Sequence, residues 1–196
     1  MRIIAGSSKG RELFSPFSEG VRPTSDRSRE GLFSTLESEF SSIADLNFLD
    51  LFAGSGAVGV EALSRGAAIV HSVELDQETA DVAARNFELV TTSKTSTYQL
   101  YRQSAEQFLG QISGLKYDII FMDPPYPLTN ADVERLLDVI VERDLLQPHG
   151  LVAVEREAKG RAFTWPQAPR AMELVKQRSY GQGSIFYGGY SATVLA

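Results

Sequence analysis

Apolar positions in this chain switch between two periods. From residue 47 onward, short runs rich in β-branched and aromatic residues read as strands: NFLDLF (47–52), IVHSVEL (69–75), STYQLYR (96–102), YDIIFMD (117–123) and LVAVE (151–155). The stretches between them, 57–65, 77–89, 105–109 and 131–143, read as helices. Strand and helix in alternation predict an α/β fold, a mostly parallel sheet with helices on both faces. Upstream, 2–6 and 10–14 read as two short strands joined by Ser7, Ser8, Lys9 and Gly10. A helix over 24–40 follows, with Leu32, Phe33, Leu36 and Phe40 on one face and Thr24, Ser25 or Asp26 as its cap. At the other end, ELVKQRSYG and SIFYGGY read as an antiparallel pair turning around Gly181 and Gly183. No internal repeat or low-complexity tract interrupts the pattern.

Composition narrows the classes. With 196 residues the chain fits one domain with a small appendage and can bury a sizeable core. At 43% hydrophobic and 22% charged it is globular in usage, which argues against a disordered or fibrous protein. No run approaches the ~18 apolar residues of a membrane span, and the N-terminal residues lack a signal-peptide core, so the expected location is cytoplasmic. There is no cysteine, which removes disulfides, thiolate metal sites and thiol nucleophiles together. His71 falls inside a predicted strand and His149 in a Pro-His-Gly turn; both are expected to be structural or surface groups, and no metal centre is expected.

The net charge of −6 does not by itself announce a nucleic-acid binder, but the charge is unevenly spread. Residues 1–11 carry Arg2, Lys9 and Arg11 with no acid. Between 156 and 178 lie Arg156, Lys159, Arg161, Arg170, Lys176 and Arg178 against only Glu157 and Glu173. Charge alone favours a solvated mixed surface, though basic ends on an acidic body are compatible with local phosphate contacts.

The first strand of the alternating region runs into Asp50-Leu51-Phe52-Ala53-Gly54-Ser55-Gly56-Ala57-Val58-Gly59. Gly54, Gly56 and Gly59 form G-x-G-x-x-G between a strand and a helix, where small residues let backbone N–H groups approach a ligand closely. Glu74 ends the second strand twenty residues after Gly54, where a carboxylate can accept both hydroxyls of a ribose. A tight turn beside a chance surface acid is the bland alternative, and the strand–turn–helix context disfavours it. A nucleoside-bearing cofactor is therefore expected, with a nicotinamide dinucleotide as the rival candidate.

The fourth strand ends in an acid, two prolines and a tyrosine: Asp123-Pro124-Pro125-Tyr126. Each proline fixes its own φ and forces the preceding residue to be extended, so the corner is rigid. It lies beside the glycine loop if strands one and four are neighbours. A carboxylate and a backbone carbonyl accepting both N–H bonds of a nucleobase amine would aim the nitrogen lone pair outward. Asp123 and the Pro124 carbonyl supply those acceptors, and Tyr126 supplies a stacking face. An electrophilic methyl sulfonium then needs only collinear positioning, without a metal. D-P-P-Y alone is a turn as readily as a site; joined to the glycine loop, it reads as a site.

DLFAGSGAVGVEALSRGA, VELD and DIIFMDPPY together resemble the class I S-adenosylmethionine-dependent amino-methyltransferases. RIIAGSSKGREL and RPTSDRSREGLF resemble the RsmD-type 16S ribosomal RNA guanine-N2 methyltransferases, and the motifs span nearly the whole chain. The resemblance implies a Rossmann-like, seven-stranded, mostly parallel sheet with one antiparallel strand. It divides the chain into a hairpin-and-helix extension over 1–40, a lid for RNA and cofactor, and a methyltransferase domain over 41–196. It implies S-adenosylmethionine as donor, with Asp50, Gly54 and Gly56 lining the methionine moiety, Glu74 at the ribose, Ser104 and Ala105 at the adenine, and Phe52, Leu75 and Asp123 as further cofactor contacts. Asp123, Pro124 and Tyr126 would be catalytic. Phe52 replaces the first glycine of many methyltransferases, and Ser104 stands where many have Asp or Asn. The acceptor implied is a guanosine of 16S rRNA or of the small ribosomal subunit. Arg22, Thr24, Arg27 and Arg29 would face the RNA over the cofactor entrance, with Lys9 and Arg11 as weaker phosphate contacts. A monomer is the default.

Several rivals share parts of this pattern. A DNA amino-methyltransferase would use the same loop and corner but usually adds a recognition domain, for which 196 residues leave little room. A C5-cytosine enzyme lacks its cysteine, and a protein glutamine methyltransferase more often has Asn at 123. A nicotinamide-dependent reductase would show a Ser-Tyr-Lys site, which is not evident here. A non-catalytic RNA-binding or assembly factor on the same fold is the remaining alternative.

Overall fold

A computed structural model of the chain describes residues 1–15, 26–90, 96–157, 163–180 and 183–191. Helix α1 (Asp26–Phe40) precedes strand β1 (Asn47–Asp50), α2 (Ala57–Ser64), β2 (Ile69–Val73), α3 (Gln77–Phe87), β3 (Thr97–Tyr101), α4 (Ala105–Gln111), β4 (Tyr117–Met122), α5 (Asn130–Glu142), β5 (Leu146–Glu157), β6 (Met172–Tyr180) and β7 (Gly183–Tyr190). The strands form one seven-stranded sheet in the order β3-β2-β1-β4-β5-β7-β6. β7 alone runs against its neighbours, pairing antiparallel with both β5 and β6. The expected Rossmann-like sheet with a single reversed strand is thus observed.

The two-residue repeat of the strands divides the core. Phe48, Ile119, Phe121, Ala153 and Ile185 face α1, α2 and α3, where Leu32, Phe33, Leu36, Val60, Leu63 and Phe87 cover them. Leu49, Ile120, Met122, Val152 and Val154 face α4 and α5 on the other side. Ile3 and Leu13 join the first of these clusters, so the N-terminal residues pack into the same core as the central strands.

Two local expectations change. The N-terminal pair is one bridge, Arg2 with Glu12, flanked by backbone bonds such as Leu13 N–H to the Met1 carbonyl at 2.9 Å, rather than two full strands. The reason is competition: Ile4 and Ala5 donate their N–H groups to Glu61, and Ser7 donates to the Ser64 carbonyl at 2.7 Å. His149 lies inside β5 rather than in a turn. Leu146 pairs with Tyr117 and Leu151 with Ile119, so residues 147–150 bulge opposite Asp118. Pro148, which has no N–H to give, interrupts the ladder there.

Glu61 on α2 is fully buried and fastens the N-terminal segment to the sheet. Its Oε2 accepts from Ile4 N–H at 2.8 Å, and its Oε1 accepts from Ala5 N–H at 2.9 Å and from Arg65 Nε at 2.8 Å. The Arg29 Nε lies 3.9 Å from Oε2. Arg29 was expected to face RNA; instead its side chain is wholly buried, donating to the Arg2 carbonyl at 2.6 Å and to Asp26 at 3.0 Å. Removing one partner from such a buried charge cluster leaves the others uncompensated. Glu61→Ala is therefore expected to cost about 3–5 kcal/mol in urea unfolding, far more than the exposed-pair variant Asp81→Ala.

Candidate functional site

The chain builds β1, β2 and β3 outward in one direction, then returns to place β4 beside β1. That reversal is the topological switch point, and ligands in open α/β sheets bind at the carboxyl ends of the strands there. Asp50 stands opposite Phe121 in the register, and Leu51 N–H donates to the Phe121 carbonyl at 3.0 Å. The glycine loop and the Asp123-Pro124-Pro125-Tyr126 corner therefore leave adjacent strands at the same edge.

The loop is held open by its own backbone. Ala53 N–H donates to the Val73 carbonyl at 2.9 Å, and Gly54 N–H to Glu74 Oε2 at 2.8 Å. Gly54 has φ +53°, and a Cβ added to it would meet nothing within 4 Å, so the space above it is free for a ligand. Gly56, with φ +78°, begins α2 with no side-chain cap, and a side chain there would crowd Ala83 at 3.1 Å. Glu74 is anchored twice, accepting from Gly54 N–H and, through Oε1, from Asp76 N–H at 2.8 Å. Leu75 next to it is 64% exposed, and the exposed Asp76 caps α3 by accepting from Thr79 N–H.

Asp50 carries the main electrostatic anomaly. It is 1% exposed and neither carboxylate oxygen has a hydrogen-bond partner. Burial pushes its carboxyl up to about 8, and the negative charges of Asp123 and Glu74 push the same way. The backbone N–H groups of Gly59 and Phe52 offset this in part without reaching hydrogen-bond geometry. Such a carboxylate accommodates a cation.

The remaining expected site residues sort by place. Pro124 is buried, whereas Tyr126 is 69% exposed, leaving its ring available to a base. Ser104 and Ala105 follow β3 next to Glu74, whose N–H donates to the Tyr101 carbonyl at 3.0 Å. The Ser104 hydroxyl is occupied as the cap of α4, accepting from Gln107 N–H at 3.2 Å while Gln107 Oε1 accepts from Ser104 N–H. Lys9 and Arg11 are not brought to the cleft. Ser8 bonds Ser64 at the far end of α2, about 12 Å of helix from the glycine loop. Arg11 also donates to the Leu89 carbonyl beyond α3. Arg27 is exposed in the first turn of α1, and Arg22 and Thr24 lie outside the described residues.

Two residues escaped the sequence reading. Asn86, fully buried on α3, donates to the Ser55 carbonyl at 2.8 Å and the Phe14 carbonyl at 3.0 Å, and accepts from Phe14 N–H at 2.8 Å. Its signal was a polar residue between Ala83 and Phe87 on an otherwise apolar helix face. Glu155 follows Val154, the β5 partner of Met122, and so lies one register step beyond the last β4–β5 pair, although LVAVE read only as a strand.

A switch-point glycine loop, an acid ending β2 and a proline corner ending β4 define a Rossmann-like class I methyltransferase fold. The profile of a family described as "Conserved hypothetical protein 95" matches residues 1–188. Ribosomal RNA small subunit methyltransferase D of Escherichia coli K12 is 35% identical over 182 residues, covering 93% of this chain and 86% of the relative. The Haemophilus influenzae protein of that name is 36% identical, covering 92% and 89%. A solved structure of the Escherichia coli protein yhhF superposes with a TM-score of 0.80 at 30% identity, covering 98% of this chain and 99% of that one. The chain belongs to this family, the RsmD-type methyltransferases that its motifs resemble.

The Asp50 carboxyl makes a pH prediction for the ligand-free protein. Its folded value, about 8, lies above the 3.8 of an unperturbed aspartate. Below pH 3.8 it is protonated in both states and costs nothing; from there to about 8 the unfolded chain ionises first and stability falls. Asp50→Asn removes that slope. Relative to wild type it is expected to gain on the order of 4 kcal/mol at pH 7 and little at pH 4, read from urea unfolding at each pH.

Proposed function

We propose that this protein transfers a methyl group from S-adenosylmethionine to the exocyclic N2 amine of a guanosine in small-subunit ribosomal RNA. The observation that carries the reading is the juxtaposition of the Asp123-Pro124 corner with the donorless, buried carboxylate of Asp50. The donor fits this chain: its α-ammonium supplies the positive charge and N–H donors that Asp50 lacks, and the open space over Gly54 admits the methionine chain. Glu74 is fixed where ribose hydroxyls would bind, with Leu75 as an apolar surface beside the adenine and Ser104 and Ala105 at its rim.

S-adenosylmethionine supplies an electrophilic methyl on a sulfonium and departs as a neutral thioether. The chain's own residues prepare the acceptor. The Asp123 carboxylate and the Pro124 carbonyl each accept one N–H of the guanine amine, which turns the nitrogen lone pair toward the glycine loop. The two prolines hold those acceptors in place without reorganisation. Tyr126 stacks on the base. As the nitrogen–carbon bond forms, the amine becomes acidic and Asp123 takes its proton. Arg27 meets RNA phosphate at the cleft's entrance, with Arg22 and Thr24 as sequence-based partners.

The reading is tested by methylating rRNA and small subunits in vitro and mapping the modified nucleotide by mass spectrometry, expected to be an N2-methylguanosine. Asp123→Ala is expected to lower kcat by about 10²–10³ while S-adenosylhomocysteine binding stays within a few-fold in calorimetry. Full activity in that variant, or titratable binding of NAD in place of S-adenosylhomocysteine, overturns the reading. Tyr126→Ala is expected to raise the KM for RNA by the loss of about 1–3 kcal/mol of stacking, with the donor KM unchanged.

A further inference from the structure

The acids of the cleft do not stop at Asp123. Met122 of β4 stands opposite Val154 of β5, so Asp123 and Glu155 follow as neighbours on strands about 4.8 Å apart. Two residues back on each strand, Phe121 and Ala153 both enter the core beneath α1, α2 and α3. By the two-residue repeat, Asp123 and Glu155 share that face of the sheet. Asp50 follows Phe48 of the same cluster and lies on it too. Acids thus stand at the end of β1, just past β4 and near the end of β5, along the carboxyl edge of the sheet.

Glu155 is half-buried and its place is built. β5 runs past the corner to Glu157, pairing Glu155 with Ile185 of β7. A Cβ on Gly183 would come within 3.0 Å of Glu155 Oε1, so the carboxylate reaches along β5 toward Gly183 of β7. Arg156, on the opposite face, donates to the Leu128 carbonyl at 2.9 Å and ties β5 to the loop that carries the corner.

A guanine that presents its N2 amine to Asp123 carries an N1–H at the adjoining ring position. We propose that Glu155 is a specificity-determining residue that accepts this N1–H. The proposal rests on the guanine-N2 reading above. An ionised carboxylate only accepts, so it suits a base edge with two adjacent donors. A base whose N1 is a bare acceptor sets a lone pair against Glu155 and is rejected. Asp123 would thereby hold the reacting amine, and Glu155 would select the base that bears it.

The test uses RNA carrying either guanine or 2-aminopurine at the mapped position. 2-Aminopurine keeps the amine but has no hydrogen on N1. Wild-type kcat/KM is expected to be at least about 100-fold lower for 2-aminopurine. In Glu155→Gln the amide can donate as well as accept, and the ratio is expected to shrink to within about tenfold while S-adenosylhomocysteine affinity is unchanged. Equal use of both bases by the wild type overturns the proposal even if the variant does not fold. So does a variant that slows both substrates by the same factor. Absence of any transfer to guanine by the wild type sinks the underlying reading, and this inference with it.

Discussion

Asp50 has two other acids for neighbours and no hydrogen-bond donor on either oxygen, and the carboxyl edge of the sheet is arranged around that uncompensated group. The arrangement follows from pairing β1 with β4, because Asp50 stands opposite Phe121, two residues before Asp123 on the adjacent strand. Glu74 arrives from β2 on the other side and is held by the Gly54 N–H. A fold that brings three acids toward one cleft, one of them buried, lowers its own stability when the cleft is empty. A cationic ligand bound there would recover that cost.

Glu61 provides the internal comparison. Both acids are buried on the same side of the sheet, yet Glu61 accepts three hydrogen bonds and has Arg29 beside it. The chain is therefore able to satisfy a buried carboxylate completely where structure alone is at stake. That it surrounds Asp50 with other acids instead sets the two buried carboxyls apart. Burial is equal in the two cases; the difference lies in the donors.

The order of elements was legible because each strand is short, apolar and punctuated and the helical period takes over between strands; the side-chain caps of α3, α4 and α5, Asp76, Ser104 and Thr129, came only with the structure. The adjacency of the glycine loop and the proline corner was legible as well, since a parallel sheet with crossover helices leaves few alternatives for β4. What stayed hidden depended on partners distant in sequence. Arg29 reads as a surface arginine on an amphipathic helix until Glu61 and the Arg2 carbonyl are seen beneath it. Nothing in the sequence around Arg11 announces its bond to the Leu89 carbonyl, 78 residues away. Glu155 looks like the polar end of a strand, and only the register against Met122 sets it beside Asp123.

Asn86 shows how the N-terminal residues and the cofactor loop share one constraint. A primary amide offers two N–H donors and a carbonyl acceptor, and here all three are used: one donor reaches Ser55 in the glycine loop, while the other donor and the acceptor close on Phe14. Because the amide is fully buried, no water is at hand to replace a broken bond. Displacing the Ser55 carbonyl therefore disturbs Phe14, and displacing Phe14 disturbs the loop. Arg85, stacked 4.0 Å from the Phe14 ring centre, adds a second restraint on the same residue. The N-terminal residues and the loop that would receive the methyl donor are in this way joined through the Asn86 side chain.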